Sequence, residues 1–394
     1  MINQAFAAEL WQSQDFLWLS GNPPVKSNGQ RTNAFQHFYS SDMTALSEKD
    51  SIILSTQFID KESLMKALFI GGTGTISMSI TKLLARSGWD LTLINRGNHN
   101  ENLPSEVHQI TADINDELTV SKLLDGQYFD VVADFIAFVP EQVERDIRLF
   151  RDRCDQYIFI SSASAYQKPL SHYLITESTP LHNPHWAYSR AKIACEELLV
   201  QAYRETGFNM TIVRPSHTYA DGSIPLSFHG PNGVFTELMR MKEGKPIIVH
   251  GDGNTLWTVT HSTDFAKGFV GLMGNIHAYG QAVHITSDES LTWNQIYESI
   301  GRAMNVKPNI IHVSTDMLVR LDPSLDGPLN GDKAHSVVFD NSKIKSLVPG
   351  YCATVRFDQG IRQSIDALFE RPELQIFDED WNDFLEKVLA LYNR

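Results

Sequence analysis

A glycine-rich turn between a strand-like and a helix-like segment constrains the fold of this chain more than any other feature. The apolar run Ala67–Ile70 leads into Gly71–Gly72–Thr73–Gly74–Thr75–Ile76–Ser77, and a helical pattern follows. Gly71 permits the tight turn, Gly74 lets the backbone approach a pyrophosphate without a Cβ, and Ser77 is small enough for close packing. A helix that begins near Thr75 directs its free N–H groups at the phosphates. We therefore predict a dinucleotide phosphate site that contains Gly71, Gly74, Thr75 and Ile76.

Strand-like and helix-like segments alternate from Met65 onward. The strand-like segments are apolar on both faces, which is typical of a parallel sheet covered by helices. We predict an α/β fold of Rossmann type, with a doubly wound parallel sheet in residues 65–215. Residues 216–394 begin with loops rich in glycine, proline and histidine, and we expect mainly a smaller substrate-binding lobe with some elements returning to the sheet. Residues 1–64 are interpreted as a weakly ordered extension, with an oligomerisation arm or lid as the alternative.

Composition and charge narrow the class of protein. The chain has 47 acidic and 33 basic residues and a net charge of -14, which disfavours nucleic-acid and anionic-membrane partners. Its cysteines, Cys154, Cys195 and Cys352, stand in no disulfide or metal-binding spacing. No apolar run is long enough to cross a bilayer, and the first residues lack the pattern of a signal peptide. We expect a cytoplasmic protein without a metal site.

The ends of the second and third predicted strands bear on the kind of dinucleotide. The second strand ends at Asn95 and Arg96, where NAD-binding folds usually carry a carboxylate for the ribose hydroxyls. Without that carboxylate nothing repels a 2′-phosphate, and Arg96 has the charge to pair with one. NADP is therefore favoured over NAD, with a plain surface arginine as the alternative. Asp113 and Ile114, at the end of the third strand, are placed to meet the adenine.

A tyrosine and a lysine one helical turn apart form a catalytic pattern. Tyr188 and Lys192 stand at i and i+4 and share one face of a predicted helix. A phenol, with a pKa ordinarily about 10, becomes a useful base when a neighbouring ammonium stabilises the phenolate. The serine cluster 161–164 follows the fifth predicted strand, at the edge of the sheet where active sites form. A serine there can hydrogen-bond the reacting oxygen, so the pattern predicts proton exchange by Tyr188 during hydride transfer.

The glycine turn, the serines and the tyrosine–lysine pair, in this order, resemble the extended short-chain dehydrogenase/reductase superfamily of the NAD-dependent epimerase/dehydratase type. The resemblance covers most of the chain from residue 65 onward. It implies an NAD(P) cofactor and a catalytic triad of Ser162, Tyr188 and Lys192. It also implies cofactor contacts from Gly71, Gly74, Asp113, Ala137 in the loop after the fourth strand, Tyr188, Lys192, and Pro215 in the landmark Val213–Arg214–Pro215.

Two positions depart from the pattern of nucleotide-sugar enzymes in this family. His217 stands where they usually carry an asparagine, and Trp257 stands where they carry an arginine after a Gly-Asp-Gly turn. An arginine can bind a phosphate with two parallel hydrogen bonds, whereas a tryptophan offers an aromatic face, so this exchange changes the kind of ligand that the site can bind. We therefore expect a sugar-like or other small polar substrate, contacted by Ser164, His217 and Trp257, rather than a standard UDP- or dTDP-sugar. A tryptophan that only packs is the alternative for Trp257, and a structural or solvent-facing histidine is the alternative for His217.

Two classes of function are compatible with these residues. The first is an NAD(P)-dependent enzyme, either a net dehydrogenase or reductase or an epimerase or dehydratase, since the triad serves both. The second is a non-catalytic dinucleotide sensor or RNA-binding protein that keeps the fold, as some atypical relatives do. The acidic charge and the intact triad argue against the second class. The resemblance further implies a homodimer formed through helices that flank the sheet.

Overall fold

The computed structural model of the chain describes residues 64–392 apart from His99 and Glu101. The predicted N-terminal extension, residues 1–64, therefore lies outside the described residues except for Leu64. Among the helices of the described residues, none is long and apolar enough to cross a membrane.

Fifteen strands and twelve α-helices make up the described part of the chain. The strands are β1 (Lys66–Ile70), β2 (Asp90–Asn95), β3 (His108–Thr111), β4 (Phe129–Asp134), β5 (Cys154–Ile160), β6 (Leu174–Ile175), β7 (Met210–Pro215), β8 (His217–Tyr219), β9 (Pro246–His250), β10 (Leu256–Trp257), β11 (Val259–His261), β12 (Gln281–Ile285), β13 (Leu291–Thr292), β14 (Asn309–Val313) and β15 (Val338–Phe339). The helices are α1 (Ser77–Arg86), α2 (Glu117–Leu123), α3 (Pro140–Phe150), α4 (Ala187–Thr206), α5 (Phe235–Lys242), α6 (Ser262–Leu272), α7 (Trp293–Ala303), α8 (Thr315–Leu321), α9 (Asp326–Pro328), α10 (Ser342–Leu347), α11 (Phe357–Phe369) and α12 (Glu379–Tyr392), and a π-helix spans Leu329–Lys333.

The central sheet has seven parallel strands in the order β12-β7-β5-β4-β1-β2-β3. Alternate residues of β1 face different cores: Ala67 and Phe69 pack with α1 and α6, whereas Leu68 and Ile70 pack with α2, α3 and α4. A strand buried on both faces needs the continuous apolar run seen in the sequence. The predicted α/β fold with a doubly wound parallel sheet is confirmed.

A second lobe follows β7 and packs around a core that it shares with Ala163, Tyr166 and Ile175 from before β7. Its small sheets pair β8 with β11, β9 with β14 and β10 with β13, and its core includes Trp257, Trp293 and Tyr297. The strand β12 leaves this part of the chain and pairs in parallel with β7, where it forms one edge of the central sheet. His217 and Trp257 of this lobe share a cavity wall with Ser162, which closely follows β5, and with Pro215, the last residue of β7, so the lobe meets the carboxyl ends of these two strands.

The order of the central sheet reverses between β1 and β4, which is where doubly wound folds open a crevice for ligands. Gly71, directly after β1, has a φ of +95°, and a Cβ built on it would lie 3.1 Å from Cγ2 of Ile136 in the loop after β4. The glycine turn and this loop therefore meet at the crevice.

Candidate active site

The glycine turn after β1 has the geometry of a phosphate cradle. Gly71 and Gly72 have φ of +95° and +101°, in the region that favours glycine. A Cβ on Gly72 would meet Cδ2 of Leu93 at 2.7 Å, whereas one on Gly74 would meet nothing closer than Oγ of Ser77, at 3.7 Å. Gly74 thus leaves space beside α1, where no side chain of the described residues caps the helix. The buried Ser77 hydroxyl accepts a hydrogen bond from the Gly74 N–H at 2.9 Å, so it also holds the turn.

Thr75 and Ile76 lie between this turn and α1, which begins at Ser77 rather than near Thr75. Thr75 is exposed at the mouth of the turn, and Ile76 packs partly against the core. Gly72 is a turn residue that the sequence pattern missed, because the requirement for it comes from the approach of Leu93 on the neighbouring strand.

The end of β2 places Arg96 at the surface. Asn95 accepts a hydrogen bond from the Gly97 N–H and donates one to Asn100, both at 2.9 Å. Its side chain therefore shapes the loop after β2. Arg96 is exposed, so its charged side chain faces solvent.

At the end of β3, the two predicted adenine residues have different environments. The exposed Asp113 accepts hydrogen bonds from the backbone N–H and the side-chain amide of Asn115, both at 2.9 Å. Ile114 is buried in the core under this turn. The side chain of Asp113 therefore stabilises a local turn, and the side chain of Ile114 packs in the core next to this turn.

The loop after β4 is held by a buried carboxylate that the sequence patterns did not single out. Asp134 accepts hydrogen bonds from the backbone N–H groups of Ile136 and Ala137, and it forms a buried ion pair with Arg145 at 3.0 Å. Ala137 is itself buried. These bonds fix the direction of the Ala137 carbonyl, which matters because that carbonyl binds the predicted catalytic lysine.

Lys192 is buried and reaches from α4 to this loop. Its Nζ donates hydrogen bonds to the carbonyls of Ala137 and Ile160, both at 2.7 Å. It also lies 4.5 Å from the centre of the Phe138 ring and 4.8 Å from that of Phe159. Burial lowers the pKa of Lys192 to about 8, so the ammonium form still prevails at neutral pH.

Tyr188 lies on the same face of α4 as Lys192, and the ammonium is 5.8 Å from the centre of its ring. Burial raises the pKa of Tyr188, contact with the Ser162 hydroxyl opposes the shift, and the charge of Asp332 adds to it. Lys192 directs two of its hydrogens at carbonyls rather than at the phenol. The predicted stabilisation of the phenolate by its charge stays a prediction.

Three serine hydroxyls form a chain next to Tyr188. Ser162 Oγ lies 2.9 Å from Ser164 Oγ, which lies 2.7 Å from Ser189 Oγ on α4. Ser164 and Ser189 are buried, whereas Ser162 is partly accessible. The chain orients the Ser162 hydroxyl toward the cavity beside it.

A cavity of about 280 Å³ brings the predicted catalytic and substrate residues together. Its wall contains Ser162, Ala163, Ser164, Trp186, Tyr188, Pro215, Ser216, His217, Trp257, Asp332, Lys333, Val337 and Phe339. Pro215, predicted on the cofactor side, thus shares this wall with the three predicted substrate residues. The cofactor-turn residues and Lys192 do not line it, so they lie on the crevice side.

Trp257 both packs in the core and lines the cavity. It is buried, and its ring lies 5.0 Å from that of Trp293 with an interplanar angle of 31°. Its Nε1 donates a hydrogen bond to Nδ1 of His217 at 3.2 Å. Burial and nearby positive charge lower the pKa of His217 to about 3, so its ring is neutral and carries its hydrogen on Nε2.

Asp332 and Lys333 are cavity residues that the sequence patterns missed. They come from the π-helix Leu329–Lys333, far along the chain from Tyr188. π-helical turns occur often at functional sites. No motif or period marks this segment, so only the folded chain reveals its position.

Asn183 joins three parts of the site. Its side-chain amide donates hydrogen bonds to the carbonyls of Ser164 at 2.9 Å and Gly331 at 2.7 Å. Its Oδ1 accepts hydrogen bonds from the N–H groups of His185 and Trp186, directly before α4. This buried side chain therefore links the serine loop, α4 and the π-helix.

The sequence model of the NAD dependent epimerase/dehydratase family matches residues 67–285, more than half of the chain. The chain is 26% identical over 270 residues to chloroplast stem-loop binding protein of 41 kDa b from Arabidopsis thaliana (65% of this chain, 68% of that protein). It is 23% identical over 292 residues to 2′-dehydrokanamycin reductase from Streptomyces kanamyceticus (74% and 81%). It is 25% identical over 310 residues to UDP-glucose 4-epimerase from Lactobacillus helveticus (72% and 91%).

Solved structures with the same fold include an epimerase from Methanothermobacter thermautotrophicus, with a TM-score of 0.66 and 16% identity over 79% of this chain and 94% of that one. UDP-glucose 4-epimerase from Thermotoga maritima, solved with UDP-glucose, has a TM-score of 0.62 and 19% identity over 78% of this chain and 99% of that one. At these identities the likeness shows a shared fold. Together with the family match, which spans the glycine turn, Ser162, Tyr188 and Lys192, it confirms the resemblance: the chain belongs to the NAD dependent epimerase/dehydratase family.

Proposed function

We propose that this protein is an NAD(P)-dependent enzyme that acts on a hydroxyl or carbonyl of a sugar-like or other small polar substrate. The observation that carries the proposal is the meeting of Ser162 and Tyr188 at one cavity, while Lys192 of the same helix binds the loop that faces the glycine turn. The relatives named for 2′-dehydrokanamycin and UDP-glucose support a sugar-like substrate.

The residues of the crevice fit a dinucleotide. Gly74 leaves space where a Cβ would otherwise stand, next to the N-terminus of α1, which favours a pyrophosphate. The loop at Ala137 lies between this turn and Lys192, so a ligand that runs from the turn to Lys192 passes along it. When bound, the nicotinamide supplies or accepts a hydride at the substrate carbon that carries the reacting oxygen.

Tyr188 holds the proton for the reacting oxygen. Because burial raises its pKa, Tyr188 is a phenol at neutral pH and is ready to donate its proton to a carbonyl oxygen. The Ser162 hydroxyl, oriented through Ser164 and Ser189, can hydrogen-bond the same oxygen. In the oxidative direction Tyr188 must first lose its proton before it can accept one from a substrate hydroxyl.

Lys192 positions the cofactor. Two of its three N–H donors bind carbonyls, and the third is left for a ribose hydroxyl at the crevice. Because this role needs the ammonium form, and the pKa of Lys192 is about 8, we expect kcat/KM to fall as the pH rises through about 8.

The measurement is a pH profile of turnover from about pH 7 to about pH 9, which brackets this pKa. Lys192→Met should turn over slowly and show no such decline, because it has no group to titrate. An equally steep decline in Lys192→Met would show that another group causes it.

The experiment that tests the proposed function is to denature the purified protein and to quantify the nucleotide that it releases. Retained NAD(H) or NADP(H) at close to one per chain indicates an epimerase or dehydratase, because those reactions return the hydride. A protein that is purified without nucleotide and then binds NADPH or NADH indicates a reductase or dehydrogenase. A protein that binds neither contradicts the proposal.

Arg96 tests the preference for NADP. The exposed guanidinium at the end of β2 is available for a 2′-phosphate, so Arg96→Ala should weaken NADPH binding about tenfold and leave NADH binding unchanged. Calorimetric titration of both nucleotides measures this, with the exposed Arg86→Ala on α1 as the matched control. An equal loss for both nucleotides, or none, would remove the argument for NADP.

A second candidate function rests on the name of the Arabidopsis relative, a stem-loop binding protein. The net charge of -14 works against a nucleic-acid surface, because phosphate contacts need clustered positive charge. Salt-dependent binding of a stem-loop RNA by a chain that binds no nicotinamide nucleotide would favour this candidate.

A further inference from the structure

Lys333 brings a positively charged side chain to the cavity wall, and hydrogen bonds hold its backbone in place. The carbonyl of Lys333, the last residue of the π-helix, accepts hydrogen bonds from Nε2 of His250 at 2.8 Å and from Nε1 of Trp293 at 3.1 Å. Two residues earlier, Asn183 binds the Gly331 carbonyl at 2.7 Å. The segment that presents Lys333 to the cavity is therefore held at both ends, as a specific binding site requires.

Two lysines share one acidic residue at this wall. Asp332 lies 3.9 Å from Nζ of the fully buried Lys168, and that Nζ has no hydrogen-bond partner within the described residues. The charge of Asp332 also acts on the adjacent Lys333, where it opposes the lowering of the lysine pKa by burial. The ammonium of Lys333 forms no ion pair with any residue that the structure describes, which leaves one positive charge in excess at the cavity.

His217 is a second donor in the wall of the same cavity. Burial and the charge of Lys333 lower its pKa, so its ring is neutral. His217 accepts from Trp257 through Nδ1, so its neutral ring has an N–H donor on Nε2. Lys333, His217 and Tyr188 thus offer an ammonium, an N–H and a phenol to the same cavity.

We propose that Lys333, with His217 as a neutral second donor, binds an acidic group of the substrate, a carboxylate or a phosphate, and so selects acidic sugar-like molecules. This inference rests on the proposed function, because it concerns the same cavity. Burial lowers the pKa of Lys333, and a bound anion would offset the cost of keeping this ammonium charged. A cavity of about 280 Å³, at the lower end of the usual range of about 300–1,000 Å³, suits a monosaccharide better than a whole nucleotide-sugar.

The test is calorimetric titration of the full chain with D-glucose, D-glucuronate and D-glucose 6-phosphate, with and without NADPH. We expect at least one acidic sugar to bind about tenfold more tightly than glucose, as a charge-assisted hydrogen bond provides. Lys333→Gln should abolish the difference, and Lys333→Arg, which keeps the charge, should retain most of it. The exposed Lys387→Gln on α12 is the matched control for loss of one positive charge. The tighter of the two acidic sugars tells whether the group is a carboxylate or a phosphate.

Equal affinity of wild-type protein for all three sugars, absence of binding of both acidic sugars, or an unchanged preference in Lys333→Gln would overturn the inference. Glucose binding that survives in Lys333→Gln shows that the variant keeps its cavity. Because binding is measured without turnover, a preference for acidic sugars in a protein that ignores NADPH would contradict the proposed function alone. Turnover of neutral sugars without any such preference would contradict this inference alone.

Discussion

Replacement of Tyr188 by phenylalanine should lower kcat by about 10²–10⁴-fold, the usual contribution of a positioned general acid or base. The variant keeps the ring against Phe138 and Trp186 and loses only the hydroxyl. Binding of the cofactor should change far less than kcat, because the ring of residue 188 stays and the main effect is on the proton transfer. Single-turnover oxidation of bound NADPH by a carbonyl substrate, followed by its absorbance, measures the chemical step directly.

A matched control is available on the same helix. Tyr203→Phe removes a hydroxyl from an exposed position of α4 and should leave kcat unchanged. A Tyr188→Phe variant with wild-type kcat would mean that another group supplies the proton. Asp332, whose pKa burial raises, would then be the first candidate in the cavity.

Replacement of Arg214 by alanine should destabilise the protein by about 3–5 kcal/mol, because it leaves a buried carboxylate without its partner. Arg214 and Glu196 are both nearly inaccessible, and the guanidinium donates to the two carboxylate oxygens at 2.9 and 2.6 Å. The Ser161 hydroxyl, next to Ser162, donates to the same carboxylate. Denaturant unfolding of wild-type and variant measures the difference in the free energy of unfolding.

The double variant Arg214→Met/Glu196→Leu serves as the control. With both charges gone, no unpaired ion is left in the core, and most of the lost stability should return. A double variant as unstable as Arg214→Ala would show that packing against the Tyr166 ring, 4.9 Å from the guanidinium, matters more than the charge.

The sequence predicted the central sheet well because each strand is a local signal. An apolar run such as Ala67–Ile70, followed by a glycine turn and a helical pattern, identifies its element without knowledge of the rest of the chain. The pattern of Tyr188 and Lys192 is local for the same reason, since one helical turn fixes their common face. These parts of the fold and of the site could be predicted.

Features that depend on contacts between distant segments could not be predicted. Asp332 and Lys333 reach the cavity because Asn183 binds the Gly331 carbonyl, across 148 residues of sequence. The raised pKa of Tyr188 likewise follows from burial, although the spacing to Lys192 suggested the opposite effect. Trp257 is a third case, since its burial against Trp293 and its bond to His217 depend on the packing of the second lobe.

The bonds of Asn183 also bear on how the protein is made. A nascent chain that has left the ribosome only as far as Pro328 already contains Ser162, Tyr188 and Lys192, yet it lacks the Gly331 carbonyl that the Asn183 amide binds. Part of the cavity wall is translated later, namely Asp332, Lys333, Val337 and Phe339. Truncated products of interrupted translation therefore contain Ser162, Tyr188 and Lys192 without the complete wall of the cavity.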